Sequence, residues 1–171
     1  TWDQPVEAPW FPLLDRSDTA VSTVALADRY DCAPDIIESG PEVVYALSLP
    51  TKAWFRAELD EDIDVDVDLH LLSAPSIDAD GMVTGCIERA NTAIERELGA
   101  GHYLLVVDTY QTGGGESWPG GYTVSIEAFA DAEWYEVALA DGVVWSHQRT
   151  RGGPLDDQSL DVIEVDPTLW E

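Results

Sequence analysis

Between residues 64 and 72 the chain alternates at every step: Val65, Val67, Leu69 and Leu71 fall on one side of an extended backbone, Asp64, Asp66, Asp68 and His70 on the other. A period of two belongs to a β-strand, and a strand with one apolar side must bury that side against a second layer. The same grammar recurs. Val43, Tyr45, Leu47 and Leu49 share a face, residues 122–129 alternate again, and 103–109 is apolar on both sides apart from Asp108, the mark of a central strand covered twice. Gly, Pro and Asp clusters separate these segments, which is the pattern of an all-β sandwich or barrel.

Three segments carry finer expectations. Pro50 permits a turn, so residues 43–49 and 52–59 are expected to form a hairpin. Residues 73–85, with Pro75, Asp78, Asp80, Gly81 and Gly85, read as a long loop that delivers Cys86 to its partner. Residues 92–98 fit a strand or a short helix; the strand is adopted. Residues 1–18 mix Pro5, Pro9 and Pro12 with Trp2, Trp10 and Phe11 and suit an extended N-terminal arm. After residue 130, three further β-like segments (134–139, 143–147 and 160–165) are too few for a domain of their own, so they either extend the sandwich or need something beyond this chain. The expected organisation is an arm over 1–18, a sandwich over 19–130 and a C-terminal β extension over 131–171.

Charge and length narrow the function. The 171 residues carry 34 acidic against 8 basic side chains, a net charge of −26, which repels phosphate backbones and excludes nucleic acid as a partner. The longest apolar runs, such as 104–107, are far shorter than the roughly 18 residues of a membrane-spanning helix. The chain opens at Thr1 without an initiator methionine or an apolar signal core, so a mature exported product is expected. Cys32 and Cys86 have no Cys or His nearby in sequence at metal-ligand spacing; a disulfide is adopted against two buried thiols, and it implies an oxidising compartment.

Several residues are candidates for chemistry. His70, His102 and His147 have no recognisable nucleophile at motif spacing, and the zinc-helix and serine-elbow signatures are missing. Calcium is the best-motivated cofactor: Asp62, Asp64, Asp66 and Asp68 form an oxygen-rich row, and Asp78-Ala79-Asp80-Gly81 looks like the middle of a calcium loop, although Ser76 and Ile87 occupy its end positions. The competing reading makes the Asp row the solvated face of an outer strand, charged against edge pairing. Trp54, Trp118 and Trp134 beside carboxylates are candidate sugar platforms, with core packing as the alternative. Trp2, Trp10 and Phe11 are candidate assembly contacts through which a homo-oligomer or fibre would form, against packing on their own domain.

At Tyr30, Cys32 and 38–45 (Glu-Ser-Gly-Pro-Glu-Val-Val-Tyr), at 64–72, Cys86, 101–108 and 120–124, the order and spacing of motifs resemble the bacterial pre-peptidase C-terminal domain family. The resemblance covers about residues 19–129. It implies a jelly-roll-like antiparallel β-sandwich attached to secreted enzymes and surface proteins, with binding or targeting duties toward protein or polysaccharide and no catalytic residue. Residues 134–168 bear a weaker resemblance to the opening strands of phosphodiester glycosidase-like domains, which implies an enzyme fragment as an alternative.

Overall fold

The computed structural model describes Trp2 and residues 4–8 and 11–130, together with the short pair Val137–Ala138 and Val144–Trp145. Trp10, Trp134, His147, the boundary at Asp131 and the segment 160–165 lie outside the described residues. The chain divides into two compact units, Thr1–Phe129 and Ala130–Glu171. Within the second, Val137–Ala138 pairs antiparallel with Val144–Trp145.

The first unit is a sandwich of ten strands: β1 (Val6–Ala8), β2 (Leu13–Asp18), β3 (Arg29–Tyr30), β4 (Val43–Leu49), β5 (Ala53–Glu61), β6 (Val67–Ile77), β7 (Met82–Ala90), β8 (Ala93–Leu98), β9 (Gly101–Thr109) and β10 (Gly121–Ala130). A six-stranded sheet runs in the order β1-β4-β9-β6-β7-β3, and a four-stranded sheet in the order β2-β10-β5-β8. β2–β10, β4–β9, β5–β8, β6–β7 and β6–β9 pair antiparallel, while at the two rims of the larger sheet β1 joins β4 and β3 joins β7 in parallel.

Alternation dictates the core between the sheets. Tyr45, Leu47, Leu69, Leu71, Leu105 and Val107 point inward from the large sheet and meet Phe55, Ala57, Ile94, Tyr122, Val124 and Ile126 from the small one. The two tyrosine hydroxyls are not stranded there: Tyr45 donates to Asp15 at 2.8 Å, and Tyr45 and Tyr122 share a hydrogen bond of 2.9 Å. The outer face of the large sheet is covered as well, because the segment between β2 and β4 folds over it and packs Ala27 and Tyr30 on Val44, Leu72, Val83 and Val106. This second layer explains why β9 is apolar on both faces.

Three expectations are corrected. Residues 43–49 and 52–59 are not a hairpin: β4 pairs with β9 and β5 with β8, so the Pro50 turn carries the chain from one sheet to the other. Both strands aim their apolar faces at the same core, β4 from the large sheet and β5 from the small one. The expected loop at 73–85 is largely strand, since β6 runs to Ile77 and β7 begins at Met82, with the register slipping between Leu72 and Ser76. Gly85 at φ +82° and Ala74 at φ +45° absorb that irregularity. The Asp row is not the open face of one strand either. Asp60 lies one residue before the end of β5, Asp62 to Asp66 lie in the turn, and Asp68 and His70 are buried in β6 beneath the covering segment.

The arm strands are edge strands of this same sandwich. β1 lies beside β4, and β2 pairs along β10 from Leu13↔Ile126 to Asp18↔Gly121. Phe11 packs on the main core, and Trp2 packs on the outer one and donates its indole N–H to Glu42 at 2.5 Å.

Candidate functional site

Polar groups gather in two places, one sealed and one open. The sealed cluster grows from cross-strand register on the outer face of the large sheet. Asp68 of β6 stands opposite Asp108 of β9, and His70 stands between Val106 of β9 and Arg89 of β7. Tyr30 of β3 lies flat on His70, with ring centroids 3.6 Å apart and planes at 12°, and its hydroxyl donates to Asp108 at 2.6 Å. Glu38 comes down from the covering segment, its carboxylate 3.6 Å from both His70 Nε2 and Arg89, while Arg89 also binds Asp68. Glu38, Asp68, His70 and Asp108 are all 1% exposed or less.

Burial sets the proton chemistry of this cluster. It pushes the Glu38 and Asp68 carboxyls up to about 7 each, against the pull of Arg89. Drawn as two carboxylates, Glu38 and Asp68 leave Oε1, Oε2 and Oδ1 without a donor; one shared proton turns the pair into a hydrogen bond and accounts for two of these three oxygens. Burial also drives His70 down to about 3, so its ring is neutral, and neither ring nitrogen has a hydrogen-bond partner. The Asp108 carboxyl and the Tyr30 phenol are both raised by burial. This is a neutral, proton-holding brace between the covering segment and the sheet. Sequence reading missed Glu38, Arg89 and Asp108 as members of one cluster with Asp68 and His70, and alternation alone had no means of finding them, since each arrives from a different segment.

The open site lies at one end of the sandwich, where the β5–β6 turn meets the crossing between β9 and β10. Glu61, Asp64, Val65, Asp66 and Trp118 line a shallow recess of about 540 Å³. Its walls are fastened by backbone: the Asp66 N–H donates to the Trp118 carbonyl at 2.9 Å, and the Tyr110 N–H donates to the Asp66 carbonyl at 3.1 Å. Gly120 lies so close to Val65 that a Cβ there would come within 2.4 Å of its methyl group. Trp118 is 39% exposed.

The expected site residues are thus divided. Asp64, Asp66 and Trp118 come together; Asp62 is held by Arg16 at 2.8 Å, and Asp68 is sealed in the brace. Asp78 and Asp80 form the exposed β6–β7 turn, where Asp78 Oδ1 accepts from the N–H groups of Asp80 and Met82. Among the described residues no three of the candidate carboxylates converge on one point. Trp54 is half-buried at the start of β5, seven residues and roughly 24 Å of strand away from Glu61. His102 is exposed. The expected disulfide joins Cys32 to Cys86, with Cα atoms 5.4 Å apart.

The architecture is that of a two-sheet β-sandwich with a disulfide-anchored cover on one face. No family model matches the chain, and no curated protein matches it by sequence. Among solved structures it is similar to the pre-peptidase C-terminal domain of collagenase from Bacillus anthracis, at 12% identity over 72% of this chain and 95% of that one, with a TM-score of 0.43. It is also similar to PliG of Aeromonas hydrophila, a periplasmic inhibitor of g-type lysozyme, at 14% identity over 72% of this chain and 96% of that one, with a TM-score of 0.40. At this identity and overlap neither likeness carries a ligand or an activity to this chain.

Proposed function

We propose that this chain is a non-catalytic binding module of an exported protein, and that it attaches to a neutral polysaccharide through the recess beside Trp118. One observation carries the reading: an exposed indole and the carboxylates of Glu61, Asp64 and Asp66 share a recess whose backbone is already fixed. An indole face stacks on the apolar side of a sugar ring while carboxylates accept hydrogen bonds from ring hydroxyls, and a fixed backbone lowers the ordering cost of binding. The sealed position of His70 beneath Tyr30 supports a structural use of that histidine. The disulfide supports export.

Calcium is retained as an auxiliary ligand of the same recess, where Glu61, Asp64 and Asp66 supply hard oxygens that an ion would draw together. Assembly through the arm has less support, because β1 and β2 already pair within the chain. The test is calorimetric titration of the full chain with a panel of neutral polysaccharides, with and without calcium, against Trp118→Ala. Heat that the substitution abolishes while the melting temperature stays unchanged supports the reading. Heat that survives in the variant, or none for any polysaccharide in either condition, overturns it.

A further inference from the structure

We propose that Cys32, Cys86 and His70 form a redox-gated site for zinc, closed while the two sulfurs are bonded to each other and open when they are reduced. The three donor atoms lie within 4.8 Å of one another although they come from the covering segment, β7 and β6. His70 provides a second, independent sign of a ligand. Its ring is fully buried and fixed in orientation by its stack on Tyr30, and neither nitrogen makes a hydrogen bond, the carboxylate of Glu38 lying 3.6 Å from Nε2. A neutral imidazole and two thiolates are a preferred donor set for zinc, with Zn–N near 2.0 Å and Zn–S near 2.3 Å. A tetrahedral ion needs its sulfurs roughly 3.8 Å apart, an opening that rotation about the Cα–Cβ bonds supplies while the Cα atoms stay 5.4 Å apart.

The surroundings preserve this geometry without the covalent link. Asp31, next to Cys32, accepts from the backbone N–H groups of Gly85 and Cys86 at 3.0 Å each, and its own N–H donates to the Val83 carbonyl at 2.9 Å. β3 continues that attachment through Arg29↔Met82 and Tyr30↔Val83. Cys32 is exposed, so a reductant and an ion both have a path in. The step balances: a dithiol reductant gives two electrons and two protons to the Cys32–Cys86 bond and becomes a disulfide itself. Zinc then displaces the two thiol protons to solvent and takes the neutral imidazole as its third ligand, with a fourth position left to solvent.

The experiment uses the full chain, reduced with a phosphine, freed of reductant without air and titrated with Co²⁺ as a spectroscopic stand-in for zinc. The expected result is one ion per chain, with a thiolate-to-cobalt charge-transfer band that zinc abolishes and that oxidised protein does not show. His70→Phe keeps a ring stacked on Tyr30 but removes the donor, and it should weaken binding at least about tenfold, since even the loss of an outer-shell partner costs that much. Where reduction unfolds the chain, zinc is expected to restore the native circular-dichroism spectrum. The proposal is overturned by a reduced protein without the band, by His70→Phe binding as tightly as the parent, or by a reduced, unfolded chain that zinc leaves unfolded.

Discussion

Replacing Glu38 by glutamine should stabilise this protein by an amount that grows with pH. The carboxyl is 1% exposed, and burial raises it from 4.5 to about 7. Between those values the folded chain holds a proton that the unfolded chain has released, so the stability it confers is complete below 4.5 and is lost as pH rises through about 7. At 1.36 kcal/mol per unit, the ionised carboxylate costs the fold about 3 kcal/mol at alkaline pH. Asp68 is raised to about 7 by the same environment, but the two carboxyls share one proton, so the pair contributes once. In Glu38→Gln the amide is neutral at every pH, and Asp68 keeps its ion pair with Arg89 while losing the neighbouring carboxylate that, after burial, raises it most. His70 works in the opposite direction. Its pKa falls from 6.5 to about 3, so its contribution is present above 6.5 and is lost as pH drops toward 3. In the parent the two effects oppose each other between 4.5 and 6.5 and leave a broad optimum; in the variant the carboxyl side of that opposition is weakened and the rise due to His70 dominates. Urea unfolding of the oxidised protein at roughly pH 4.5, 6 and 8 measures this, with the gain expected near zero at the first and about 3 kcal/mol at the last. A gain independent of pH, or a loss at pH 8, would refute the brace as drawn.

Two further outcomes follow from the fold. Cys32→Ser with Cys86→Ser opens a loop with a sequence separation of 54 and should lower the unfolding free energy by about 4 kcal/mol; no fall in the denaturation midpoint would mean that the Asp31 clamp alone holds the cover. Gly40→Ala places a Cβ 2.5 Å from Thr109 Cβ and 2.7 Å from its carbonyl oxygen, where backbone cannot yield cheaply, so a loss of about 1–3 kcal/mol is expected in thermal or urea melts; an unchanged melting temperature would show that the covering segment shifts freely.

How far the residues could be read alone is clearest at β6. Alternation identified Val67, Leu69 and Leu71 as core because a period of two needs only local geometry. It could not say what lay over the other face, and the same pattern that makes Asp68 and His70 look solvated is compatible with a covering layer contributed by Ala27 and Tyr30, far earlier in the chain. The Pro50 turn shows the same limit. Local chemistry makes it a turn, but whether the strands on either side join one sheet or two depends on where β8 and β9 place their backbones. The strand content and the disulfide-compatible cysteines follow from residue type and spacing, whereas spacing left Trp118 open between a platform and the core. The partnership of Glu38 with Asp68, the approach of His70 to the sulfurs and the meeting of Asp64, Asp66 and Trp118 were decided by tertiary structure. Each joins residues distant in the chain, and only the stacking of layers brings such residues within a few ångströms.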